Sequence, residues 1–203
     1  MGEASANKLI GFSSIAIDFL RRKSSEVSNI CFAFVYFSHT RTITPVEIMG
    51  SLLKHLVYRN GSLSLSKELR DLYSEHMRNS TRPTFTEFAK VLEAESREIP
   101  SLFVVFDALD ECAQQDDTRT KILNELRRLP TVRLLITGRA DVAGVMSILG
   151  DVSELEICAR DEDIDKYIEG EVDRKENLIN NCKNDEDLKK TIREIIVMKA
   201  RGM

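Results

Sequence analysis

Three apolar runs set what this chain can fold into: ICFAFVYF at 30–37, FVVF at 103–106 and VRLLIT at 132–137. Each is short and rich in β-branched or aromatic side chains, the pattern of a strand buried on both faces. The intervals between them are long and carry helical periodicity, and parallel neighbours need crossovers of that length. Strands alternating with helices predict an α/β fold around a mainly parallel sheet.

The helices between the runs announce their own starts. In TPVEIMGSLLKHLV, Thr44 stands as N-cap, Pro45 takes the first helical position and Glu47 closes a capping box. Thr84 and Glu87 repeat the device ahead of FTEFAKVLEAESRE, and SKELRDLYSEHM between them reads as a further helix. Upstream, Phe12, Ile15, Phe19 and Leu20 recur at helical spacing over about 9–24. A helix is expected near 117–129, and SELEI (153–157) reads as a weaker strand. DEDIDKYIEGEV places Ile164, Tyr167, Ile168 and Val172 on one face, and DLKKTIREIIVMKA aligns Leu188, Ile192, Ile195 and Ile196. The charged stretch 173–187 is a linker or a solvated helix face. It divides an expected domain over 1–172 from the start of a following helical region at 173–203.

Charge and composition narrow the function classes. Lys and Arg number 29 against 33 Asp and Glu, a net charge of −4, whereas a dedicated nucleic-acid binder carries a basic excess. The clusters Arg21-Arg22-Lys23 and Arg127-Arg128 fall near predicted helix ends, where they complement the helix dipole. Cys31, Cys112, Cys158 and Cys182 form no CxxC pair, and His39, His55 and His76 lack zinc-site spacing, so a reduced, cytoplasmic protein without a zinc centre is expected. LIGFSSIAI near the N-terminus is followed by Asp18 and RRK with no small-residue cleavage site, MGEASA fails the myristoylation pattern at Ala6, and no stretch is long enough to span a membrane. Asn60-Gly61-Ser62 and Asn79-Ser80-Thr81 fit the glycosylation pattern, but nothing else points to secretion.

The chemistry gathers where the second run ends. FVVFDALDEC carries a buried strand straight into Asp107, Asp110 and Glu111. In parallel sheets ligands bind outside the carboxyl ends of the strands, and Thr137-Gly138-Arg139 falls at the same edge. The acids either cap the next turn and face water, or hold a metal and a water molecule. Asp110 is a candidate cap for the helix that follows. Arg139 is either a phosphate ligand or a surface arginine paired with Asp110 or Asp141. Thr137 reads as a strand-end hydroxyl bonding backbone. A metal-dependent nuclease using Asp107 and Glu111 would need a lysine that is not suitably placed.

FVVFDALDEC, followed about 25 residues later by LLITGR, resembles the Walker B and sensor strands of NACHT-type STAND ATPases. DEDIDKYIEGEV and the ending KARGM are similar to downstream helices of the fungal group built on a nephrocystin-like N-terminal P-loop domain. The resemblance implies a three-layer P-loop NTPase-like fold and an ATP- or GTP-operated signalling switch. It implies Mg²⁺ held by Asp107, water oriented by Asp110 or Glu111, and the γ-phosphate sensed by Arg139. Partners would be other domains of one signalling protein, an N-terminal effector and C-terminal repeats, with no nucleic acid or membrane.

The phosphate-binding loop departs from the pattern. GxxxxGK[ST] supplies glycines for backbone approach, a lysine for charge and a hydroxyl for the metal. In MGEASANKLIGF, Gly2 and Lys8 match, while Asn7 replaces the second glycine and Leu9 the hydroxyl. Asn tolerates left-handed backbone angles, but Leu9 cannot bind a metal. The expected first, central strand also has no counterpart ahead of Gly2, leaving the strands near 135 and 155 without the neighbour between them. These departures predict weak or absent hydrolysis, and hold open a non-catalytic interaction scaffold or an incomplete gene product.

Overall fold

A computed structural model of the chain describes residues 3–27, 29–58, 65–112, 117–139, 144–157, 161–174 and 186–201. Two compact units divide it, Met1–Val152 and Ser153–Met203.

The first unit runs α1 (Glu3–Glu26), β1 (Ile30–Tyr36), α2 (Pro45–Val57), α3 (Lys67–Asn79), α4 (Phe85–Arg97), β2 (Ser101–Asp107), a 3-10 turn (Leu109–Glu111), α5 (Thr118–Arg127), β3 (Val132–Ile136) and α6 (Val145–Leu149). The sheet has the order β1-β2-β3 and both pairings are parallel. Ile30–Tyr36 lies opposite Ser101–Asp107, and Leu102–Phe106 opposite Val132–Ile136.

The period-2 alternation of β2 sorts its side chains between two cores. Leu102, Val104 and Phe106 join Leu52 and Leu56 of α2, Leu92 of α4 and Ile122 of α5 on one face. Val105 meets Ile17 and Leu20 of α1 on the other, with Phe103, Phe32 and Phe34 packed around them. Helices on both faces of a parallel sheet make three layers, as the resemblance implies.

The helix starts are as the sequence spells them. Thr44 caps α2 and Thr84 caps α4, each with a complete capping box closed by Glu47 and Glu87. The Thr44 N–H donates to Glu47 Oε2 at 2.8 Å and the Thr84 N–H to Glu87 Oε2 at 2.7 Å. Those backbone bonds, with the threonine hydroxyls second, hold both carboxyls below their ordinary range. A depressed folded-state pKa stabilises above the unfolded value and is lost as pH falls through the folded one. Glu47→Gln and Glu87→Gln keep an acceptor but remove the charge. Each variant is therefore expected to melt below the parent at neutral pH and to converge with it under acid, as thermal melts across a pH series would read. A gap that persists unchanged in acid would contradict the assignment.

Two strand expectations differ from what is found, and on α1 Ile15 and Phe19, expected on its apolar face, are exposed. The third run reads as a buried strand like the second, yet Val132, Leu134, Leu135 and Ile136 are only partly buried while Val104, Val105 and Phe106 are fully so. Among the described residues β3 has a strand beside it on one side only, and an edge strand is half-covered. SELEI at 153–157 forms no strand, and Leu155 is 74 % exposed. Its pattern alone cannot hold extended backbone without a ladder partner.

The second unit contains α7 (Asp161–Arg174) and α8 (Glu186–Arg201), joined by Arg193, which bonds Asp165 through Nε at 2.5 Å and a second guanidinium nitrogen at 3.1 Å. Ile164 and Ile168 are buried, but Tyr167 and Ile195, expected on the buried faces, are exposed. A pair of helices covers only a narrow i, i+4 stripe, and Tyr167 lies a sixth of a turn or more outside it. The side chain of Val172 and the residues 175–185 lie outside the described ones. No described helix is long and apolar enough to cross a membrane.

Candidate functional site at the carboxyl edge of the sheet

Asp107 is the last residue of β2 and is 3 % exposed. Burying a carboxylate is unfavourable unless hydrogen bonds meet it. Here two hydroxyls do so. Ser13 of α1 donates to Asp107 Oδ1 at 2.5 Å, and Thr137, directly after β3, donates to the same oxygen at 2.6 Å. The two hydroxyl oxygens are 3.3 Å apart. Among the described residues no hydrogen bond falls on Oδ2, which leaves one oxygen of the buried acid for a further ligand.

The chain then turns sharply. Ala108 adopts left-handed angles, φ 54 and ψ 49, a conformation unfavourable for a residue with a Cβ by about 1–2 kcal/mol. Its N–H donates to Thr137 Oγ1 at 3.1 Å, and the Leu109 N–H to the Thr137 carbonyl at 2.9 Å. Thr137 therefore fixes both the acid and the turn after it. Leu109 is buried beneath that turn, which brings Asp110 and Glu111 up at the sheet edge. Arg119 of α5, itself buried, donates to the carbonyls of Asp110 and Cys112 at 3.3 and 3.1 Å and pins the acidic turn from below. Burial pushes the Cys112 thiol up, with Arg119 acting the other way.

The two outer acids already have partners. Arg139 Nε donates to Asp110 Oδ2 at 2.5 Å, and another guanidinium nitrogen lies 4.0 Å from Glu111 Oε1. The Asp110 hydrogen bond and charge raise the Arg139 pKa, so it stays a cation. Glu111 Oε2 accepts the His39 N–H at 2.9 Å and lies 3.5 Å from the His39 ring nitrogen. Of the two expected partners of Arg139, Asp110 is the one found; Asp141 lies outside the described residues. Asp110 does not cap α5, whose N-cap is Asp117 with no side-chain cap bond.

One edge of the sheet thus gathers Asp107, Asp110, Glu111 and Arg139. Gly2 lies outside the described residues, as does the side chain of Lys8, and the backbone from Glu3 through Lys8 is helical. Ser13, His39 and Arg119 were not legible as site residues. Only Ser13 left a trace: it falls on the buried stripe Ser13, Ile17, Leu20, Ser24, where a hydroxyl among apolar side chains needs a partner.

Recesses of about 110 and 260 Å³ lie beside Leu92 and Leu129, and beside Phe34 and His55, and neither is lined by a site carboxylate. Among the described residues no cluster of three or more His, Cys, Asp or Glu could hold a metal. Mg²⁺ does not require such a cage, since it is commonly held by one or two carboxylates together with the phosphates of a substrate. A single acid with a free oxygen fits that manner of binding.

The sequence profile of the family described as Nephrocystin 3, N-terminal, matches residues 10–139. The match takes in all three strands, Ser13 and the whole acidic edge, and begins after Gly2 and Lys8. No curated protein matches the chain. A chain in the structure of Drosophila ORC bound to AT-rich DNA and Cdc6 is loosely similar, at 14 % identity and a TM-score of 0.38, over 90 % of this chain and 71 % of that one.

Proposed function

The chain belongs to the nephrocystin 3 N-terminal family, and on that premise we propose that it is a nucleotide-binding signalling domain of the NACHT type. The observation that carries this reading is the free Oδ2 of Asp107 at the carboxyl edge of a parallel sheet, beside two further acids and one arginine. Asp107 would hold Mg²⁺ together with the phosphates of ATP or GTP. The metal supplies charge neutralisation at those phosphates. Glu111, oriented by the His39 N–H, or Asp110 would orient the attacking water, and Arg139 would exchange Asp110 for a γ-phosphate oxygen. Partners would be other domains of the same signalling protein.

The segment Gly2–Lys8 is the weak half of this site. Leu9 offers no hydroxyl, and Asn7 stands where a glycine lets the backbone wrap phosphate. The chain is expected to bind Mg-ATP or Mg-GTP weakly or not at all and to hydrolyse it slowly if at all. Titration with fluorescent ATP and GTP analogues, with and without Mg²⁺, reads this directly. Micromolar, magnesium-dependent affinity would overturn the degenerate loop and restore Lys8 as a phosphate ligand.

A specific observation favours a second reading, a non-catalytic interaction scaffold. Every acid of the edge already has a partner: Asp107 two hydroxyls, Asp110 an arginine, Glu111 a backbone N–H. Such a network can serve stability alone.

A further inference from the structure

The last two turns of α1 carry Arg21-Arg22-Lys23-Ser24-Ser25-Glu26, with a basic cluster that the nucleotide reading does not use. Two serines follow the basic residues, and their spacing alone does not choose between them. Ser24 has Arg21 and Arg22 three and two residues before it; Ser25 has Arg22 and Lys23 there.

The fold separates them. Ser24 is 8 % exposed, on the stripe that faces the sheet, and its hydroxyl donates to the Arg21 carbonyl at 3.0 Å. Ser25 is exposed, and its hydroxyl donates to the same carbonyl at 3.0 Å from the solvent side. Around Ser25 the cations are also outside. Arg21 pairs with Asp18 at 2.8 Å with both side chains 60 % exposed, Arg22 Nε donates to the Asp18 carbonyl at 3.3 Å, and Lys23 pairs with Glu26 at 2.9 Å. Surface pairs of this kind are weak and release their partners readily.

We infer that Ser25 is a phosphorylation site, presented by Arg22 and Lys23 to a serine kinase whose peptide groove is acidic. Charge complementarity selects such a segment, and a helix end yields the extended backbone that a kinase groove needs more readily than a helix interior. In the transfer, Ser25 Oγ attacks the γ-phosphorus of a nucleoside triphosphate. The bond to the departing diphosphate breaks, and the hydroxyl proton passes to the kinase's base. The product loses its donor to the Arg21 carbonyl and places a near-dianion at the negative end of α1, beside Glu26. The final turn therefore loosens, while Ser13, Ile17 and Leu20, further up the helix, stay seated on the sheet. This site is remote in sequence and chemistry from the acidic edge, so its fate does not depend on nucleotide binding.

The folded full chain, incubated with Mg-ATP and an arginine-directed serine kinase, tests this, with the phosphate located by fragmentation mass spectrometry. Phosphate is expected on Ser25, absent in Ser25→Ala, and incorporated about tenfold or more slowly in Arg22→Ala, the loss of one charge-assisted contact. Amide exchange in the last turn of α1 should quicken several-fold on modification, with exchange around Ser13 unchanged. Phosphate confined to Ser24, incorporation only after denaturation, undiminished incorporation in Ser25→Ala, or no incorporation would each overturn the inference.

Discussion

Replacing Asp107 with alanine is expected to lower the unfolding free energy by about 3–5 kcal/mol, a large share of the roughly 5–15 kcal/mol that holds a domain folded. The carboxylate is 3 % exposed and receives two hydroxyl hydrogen bonds on one oxygen, from α1 and from the end of β3. Removing it leaves both buried hydroxyls without their acceptor and unties α1 from the sheet edge. Asp107→Asn retains an acceptor for both and should be destabilised by less than half as much. Denaturant unfolding with an unchanged m-value would measure the two variants. An acid kept for metal binding alone would behave oppositely, since relieving its burial would leave stability equal or higher. That outcome would remove the clasp from the account.

A second large effect is expected on turnover. Asn7→Gly with Leu9→Thr completes the phosphate-loop pattern around Gly2 and Lys8. Glycine also disfavours the helical backbone found at these residues by about 1 kcal/mol relative to alanine, which frees it to wrap an anion. The doubly substituted chain is expected to hydrolyse nucleotide measurably. On that background Glu111→Gln should leave binding nearly intact and slow hydrolysis by about 10² or more, the usual loss when a general base or water-orienting group is removed. Asp110→Asn separates the outer acids, because it also releases Arg139. A steady-state phosphate-release assay reads both. Equal turnover in all three chains would make Asp110 and Glu111 surface acids.

The parts legible in the sequence were those fixed by neighbours along the chain. Both capping boxes involve residues three apart, and β1 and β2 declare themselves by unbroken apolar runs. What escaped depends on residues far apart. Ser13 and Asp107 are separated by 94 positions and Ser13 and Thr137 by 124, and no local pattern pairs a serine in an apolar helix with an acid on a distant strand. The third run forms its strand but is less buried than its pattern suggests, and SELEI forms none, for a related reason. An apolar or alternating pattern states that a segment can be a buried strand, but the partner decides whether it is one. β3 has a partner on one side, and 153–157 forms none among the described residues. Arg139 was placed at the correct edge, but only the fold could select Asp110 as its partner.

In the proposed function the acidic edge is the metal half of a nucleotide site whose phosphate half departs from the pattern. Calorimetric titration of the Asn7→Gly, Leu9→Thr chain with ATP in the presence and absence of Mg²⁺, with and without Asp107→Asn, tests it most directly. The account predicts affinity that rises at least about tenfold with Mg²⁺, and loss of that rise when Asp107 becomes asparagine although the protein stays folded. Affinity that is indifferent to both Mg²⁺ and Asp107 would contradict it.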